Sequence, residues 1–137
     1  MKKILILLLA VLLAFSLVSC KKEENIDESE LIYTEGCDLG EGDTTYYLRF
    51  KTEKYDITFT VHTNETNLGQ SLRKTGIVEG DEEEYGLYIK KVNGVRADYN
   101  EDKAYWGLYI DGEAAMSGVD GITIAEGETY ELVYTIG

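Results

Sequence analysis

The residues able to do chemistry are few and unevenly distributed. One histidine, His62, occurs in 137 residues, beside 26 acidic and 13 basic side chains and two cysteines. A Ser-His-Asp triad would have to use that single imidazole, and no serine or aspartate stands in a motif around it. The cysteine and histidine count excludes zinc sites built from those residues. Paired carboxylates of the glycosidase kind are compatible with so acidic a chain, but no spacing singles out a pair. Asp98-Tyr99-Asn100-Glu101-Asp102 places oxygens at alternate positions, as a calcium loop does. Such a loop needs Gly at its sixth position and Glu at its twelfth, where this chain has Lys103 and Tyr109. The segment therefore reads as a solvated loop. With neither a catalytic motif nor a cofactor motif, the chain reads as a non-enzyme that holds no metal or cofactor.

Aromatic residues offer a different chemistry. Eleven tyrosines and one tryptophan are present, and Tyr105, Trp106 and Tyr109 cluster before a glycine-bearing loop. Such rings either pack a core and pair across strands or form a platform for a flat ligand. Neighbouring strand residues face opposite sides, so Trp106 cannot share a face with Tyr105 and Tyr109.

Cys20 carries the clearest covalent signal. Lys2 and Lys3 precede an uncharged run from Ile4 to Val18, which closes in Leu17-Val18-Ser19-Cys20. Fifteen residues fall short of the roughly 20 that span a bilayer. The run therefore reads as the hydrophobic region of a secretory signal, and its end as a bacterial lipobox. Residues 1–19 are expected to be removed, and Cys20 to take a diacylglyceryl group through its thiol. The protein would then sit on the outer face of the cytoplasmic membrane. Cys37 would remain alone, most simply as a buried free thiol.

Without Lys2 and Lys3 the side-chain charge is about −15. A surface of that sign repels nucleic acid and offers it no basic patch. KKEENIDESE, residues 21–30, lacks the apolar content to fold. Residues 20–38 are thus assigned to the lipidated cysteine and an acidic tether, and 39–137 to one folded domain.

The domain must position the aromatic cluster. Tyr46–Thr52 and Asp56–Thr63 alternate as a first hairpin, with Ile57, Phe59 and Val61 on one face and His62 on the other. Leu68–Thr75 is a short helix, capped by Thr66 or Asn67 and stopped by Gly76. Gly80–Glu84 reads as an acidic loop. Leu87–Val92, the Asn93-Gly94 turn and Val95–Ala97 make a second hairpin. Trp106–Ile110, Ile122–Ile124 and Thr129–Thr135 are further strands. Hairpin, helix and then strands imply an α+β fold, with one helix on a mainly antiparallel, mixed sheet in a β-grasp-like arrangement.

Several strings occur in a distinctive order: Tyr85-Gly86-Leu87-Tyr88-Ile89, Val92-Asn93-Gly94, Ala97-Asp98-Tyr99, Tyr105-Trp106, Tyr109-Ile110-Asp111-Gly112-Glu113, Gly118-Val119-Asp120 and Tyr130-Glu131-Leu132. Over residues 40–137 this set resembles a bacterial surface-lipoprotein domain family of uncharacterised function. That family is similar to the C-terminal domain of transcobalamin and intrinsic factor, the animal vitamin B12 carriers. The resemblance implies a β-grasp-like fold that binds a corrinoid, with Tyr105, Trp106, Gly118, Val119 and Asp120 as ligand-binding positions. It further implies an uptake accessory that hands its ligand to a membrane transporter or surface protein. The carriers' large helical domain has no counterpart in this sequence. One face buries less of a ligand than the 70–90% of an enclosed pocket, so isolated binding is expected to be weak. The competing reading is a protein-interaction or adhesion module with no small-molecule ligand.

Overall fold

A computed structural model describes residues 31–137, and residues 32–137 form one compact unit. The expected signal sequence, the expected lipidation site Cys20 and most of the expected tether lie outside the described residues.

Alternation of apolar and polar residues builds the main sheet. Its strands are β1 (Asp38–Gly40), β2 (Thr44–Lys51), β3 (Asp56–Thr63), β7 (Ala104–Ile110), β8 (Glu113–Ala114) and β9 (Thr129–Ile136), in the order β1-β3-β2-β9-β7-β8. Strands β2 and β3 form the first hairpin, and β9 runs parallel to β2 at the centre. A smaller sheet holds β4 (Val78–Glu83), β5 (Gly86–Val92) and β6 (Val95–Arg96). Helix α1 (Leu68–Thr75) follows the first hairpin, and a four-residue helix α2 (Tyr99–Asp102) precedes β7. This is the expected α+β, β-grasp-like architecture.

One face of the main sheet carries the core. Tyr46, Leu48 and Phe50 of β2, Phe59 and Val61 of β3, and Tyr130 and Leu132 of β9 are buried, with Leu68 and Leu72 of α1. Tyr46 ties the layers together: its hydroxyl is 2.8 Å from Ser71 Oγ on α1, and its ring stands edge-on to Tyr130. Asn67 caps α1 by accepting the Gln70 N–H, and left-handed Gly76 ends it, as the sequence indicates.

Four local expectations are corrected. Gly80–Glu84 is mostly strand: residues 80–83 pair with β5, and their acidic side chains project into solvent from an edge. Charge on an exposed edge is no obstacle to pairing on the other side. Asp98–Lys103 contains α2, because the Asp98 carboxylate caps it by accepting the Asn100 and Glu101 N–H groups. Ile122–Ile124 makes one isolated bridge, Asn67 to Thr123, and no strand. Cys37 is exposed, since the segment before β1 runs along the rim of the sheet and bonds through its backbone to Thr60.

The domain also begins earlier than the sequence boundary. Asn93, fully buried with φ 52°, accepts the Tyr33 N–H and donates to the Tyr33 carbonyl. Tyr33 then packs edge-on against Phe59. Residues 32–38 therefore belong to the fold and not to the tether.

Candidate functional site

The five residues singled out by resemblance fall in two places. Trp106 and Tyr105 lie on opposite faces of β7. Trp106 is 7% exposed and packs against Phe50 and Tyr134, with ring centroids 5.7 and 5.5 Å away. It is a core residue. Its indole Nε1 is buried without a hydrogen-bond partner. Tyr105, at 37% exposure, lies on the far side of the sheet.

Gly118, Val119 and Asp120 lie together at one end of the molecule, where Val119–Gly121 forms a 3-10 turn. Val119 is buried and anchors the turn in the core. Gly118 is exposed, and a Cβ there would meet nothing. Asp120 is the clasp. Its two carboxylate oxygens accept from Arg73 Nη1 and Nη2 of α1 at 2.7 and 2.8 Å. One of them also accepts the Leu87 N–H of β5 at 2.8 Å. The Asp120 carbonyl accepts from Asn67 Nδ2. Arg73 holds Asp120 below the usual carboxylate range, although partial burial opposes this and the Leu87 N–H adds to it. Asp120 in turn raises Arg73, with help from Glu82. A fully engaged carboxylate of this kind builds a frame and leaves little of itself for a ligand.

Two glycines make room for the clasp. A Cβ on Gly69, in the first turn of α1, would collide with the Asp120 carboxylate. A Cβ on Gly86, at φ 116°, would come within 2.6 Å of it. Sequence reading missed Arg73, Gly69 and Gly86. Gly69 alone leaves a trace, as a glycine inside a helix with no capping role.

Around this rigid base stand two apolar side chains in almost full contact with water. Tyr85, at 92% exposure, precedes Gly86 at the tip of the β4–β5 hairpin, and Met116, at 98%, precedes Ser117. Gly86 approaches Asp120, and Ser117 lies against Gly121, so Tyr85 and Met116 each stand one residue along the chain from a group that touches the 3-10 turn. Elsewhere, among the described residues, no group of three or more His, Cys, Asp or Glu converges as a metal site. His62 lies between Thr45 Oγ1 and Asp38 at 3.1 Å each, a strand residue with ordinary partners.

A family model described as a domain of unknown function, DUF4430, matches residues 65–135, which include α1, the hairpin tip and the 3-10 turn. The chain belongs to the DUF4430 family. No curated protein matches it. Among solved structures, it is similar to a candidate metal-binding protein of Ruminococcus gnavus, at 24% identity and a TM-score of 0.65, over 69% of this chain and 99% of that one. It is also similar to haptocorrin in complex with Cbi, at 19% identity and a TM-score of 0.52, over 87% of this chain but 28% of that one. At these identities the likeness is one of fold. Every residue of the clasp lies within the family match.

Proposed function

We propose that this protein is a lipid-anchored surface module, without enzymatic activity, that binds a flat and largely apolar small molecule at the end of the domain bearing Tyr85, Met116 and the 3-10 turn. A corrinoid is the favoured ligand, and uptake through a membrane partner the favoured role. The carrying observation is the pair of almost fully exposed apolar side chains, each one residue along the chain from a group that touches a clasped, rigid turn. Solvating them costs free energy that a ligand face would recover, about 1.5–3 kcal/mol for each side chain fully buried. The haptocorrin neighbour, whose structure holds Cbi, supports this choice of ligand class. Gly118 supports it too, because an exposed backbone without a Cβ lets the ligand's amide groups approach peptide N–H and C=O. Trp106 contributes through the core on which the sheet rests.

The test is calorimetric titration of residues 32–137 with cobinamide and cobalamin. Saturable heat is expected, with Tyr85→Ala and Met116→Ala each weakening binding about tenfold. Absence of heat at millimolar ligand would reject the corrinoid reading. The two exposed side chains would then belong to a contact with another protein.

A further inference from the structure

The outer face of the main sheet, opposite the core, is open to solvent along β7, where Tyr105 is exposed and Gly107 and Tyr109 are half-buried. We infer that this face is a second binding site, for an extended, uncharged polysaccharide chain laid along β7 over Tyr105, Gly107 and Tyr109. The site is independent of the loop end.

Three observations carry this. The first is the shape of the aromatic surface. Tyr105, Gly107 and Tyr109 occupy alternate positions of β7 and so share the outer face. The space that a Cβ of Gly107 would fill is bounded by Tyr109 Cε1 at 3.2 Å, Tyr105 Cε2 at 3.6 Å and Thr135 Oγ1 at 3.2 Å. Gly107 thus lets both rings lean inward over the bare backbone and form a low, continuous strip. Tyr105 also borders Gly137, and Gly137 borders Tyr99, so the strip continues past the strand end. Tyr105 and Tyr109 alone span about 13 Å, the length of a short oligosaccharide.

The second is the chemistry beside the strip. Along β9 and β2 the same face presents Thr129, Glu131, Val133 and Thr135, then Tyr47, Arg49 and Lys51. Val133 is the one aliphatic residue in that group, so the face lacks the apolar core that protein interfaces have at their centre. It instead sets the hydroxyls of Thr129, Thr135 and Tyr47 and the polar ends of Glu131, Arg49 and Lys51 around flat rings. A pyranose presents one face of C–H bonds and a rim of hydroxyls, which suits rings below and polar groups at the sides.

The third is charge. Arg49 is paired with Asp56 at 2.6 Å and Glu131 at 2.7 Å, so its charge is neutralised within the face. The whole chain carries −13, which disfavours an anionic glycan. An extended strip also matches a β-linked ribbon better than a coiled α-linked chain.

The test uses the full chain with three probes, cellotetraose, chitotetraose and maltotetraose, read by saturation-transfer NMR and by calorimetry. At least one β-linked tetrasaccharide is expected to bind and maltotetraose not to bind. Tyr105→Ala and Tyr109→Ala should each weaken binding about tenfold, equivalent to about 1.4 kcal/mol. Tyr105→Phe, which keeps the ring, should retain most of it, and Gly107→Val, which lifts both rings, should abolish it. Tyr85→Ala should leave glycan binding unchanged, which separates this site from the loop end whether or not corrinoids bind there. The inference is overturned if neither β-linked probe binds at about 10 mM, if maltotetraose binds equally well, or if the two tyrosine variants bind like the parent.

Discussion

Removing the Asp120 carboxylate should loosen the end of the domain that presents Tyr85 and Met116. The Asp120→Ala variant loses a two-pronged contact with Arg73 and the acceptor of the Leu87 N–H. Hydrogen bonds to a charged group contribute about 1.5–3 kcal/mol, whereas fully exposed ion pairs contribute about 0–1. The two side chains are 21% and 25% exposed, between these limits, and Arg73 keeps Glu82 as a partner at 2.9 Å. The expected cost is therefore about 2–3 kcal/mol. For a domain of this size that lowers Tm by about 10 °C. Thermal and urea unfolding of Asp120→Ala, Arg73→Ala and the double variant should give a coupling of about 1–2 kcal/mol. Gly69→Ala supplies a test of sign. Helix propensity alone favours alanine by about 1 kcal/mol, yet its Cβ would collide with the Asp120 carboxylate. Gly69→Ala should destabilise the parent and stabilise Asp120→Ala. A loss below about 0.5 kcal/mol in Asp120→Ala, or strict additivity with Arg73→Ala, would refute the clasp.

The clasp also has a pH dependence, and two other contacts give outcomes of their own. Because the Arg73 guanidinium holds the Asp120 carboxyl below its ordinary value of 3.8, its contribution is present above that value and is lost as pH falls through the lowered one. The stability gap between parent and Asp120→Ala should therefore close in unfolding series run below about pH 4. Tyr46 is buried, which pushes its phenol up to about 12 despite the opposing bond from Ser71. Ultraviolet titration should resolve one late-ionising tyrosine, and its contribution to stability, full below the unfolded value near 10, should be lost as pH rises through about 12. Asn93→Ala should cost about 2–3 kcal/mol through two lost hydrogen bonds and a strained φ, and should raise hydrogen exchange across residues 32–38.

The order of elements was legible in the sequence because its signals are local. Alternation in Asp56–Thr63, the Asn67 cap with Gly76, and the Asn93-Gly94 turn each act within a few residues, and each appears in the structure. The β4 edge was misread because five acidic or glycine residues look like loop, while pairing with β5 depends on backbone groups that carry no side-chain signature. The site was less legible than the fold. Trp106 stood out by type, but its orientation is set by which face of β7 meets Phe50 on a strand more than fifty residues earlier. The clasp joins Arg73, Leu87 and Asp120 across three elements, and no local pattern relates them. Resemblance singled out Gly118, Val119 and Asp120, but it carried no sign that the Asp120 carboxylate accepts from Arg73 and the Leu87 N–H.

The most direct measurement of the central reading is the calorimetric titration of residues 32–137 with cobinamide, carried out beside Tyr85→Ala and Met116→Ala. Saturable heat in the parent, reduced about tenfold in affinity by either variant with the unfolding midpoint unchanged, is the expected result. Parent protein that gives no heat at millimolar cobinamide, or variants that bind it as the parent does, would contradict the assignment of this end of the domain to a corrinoid.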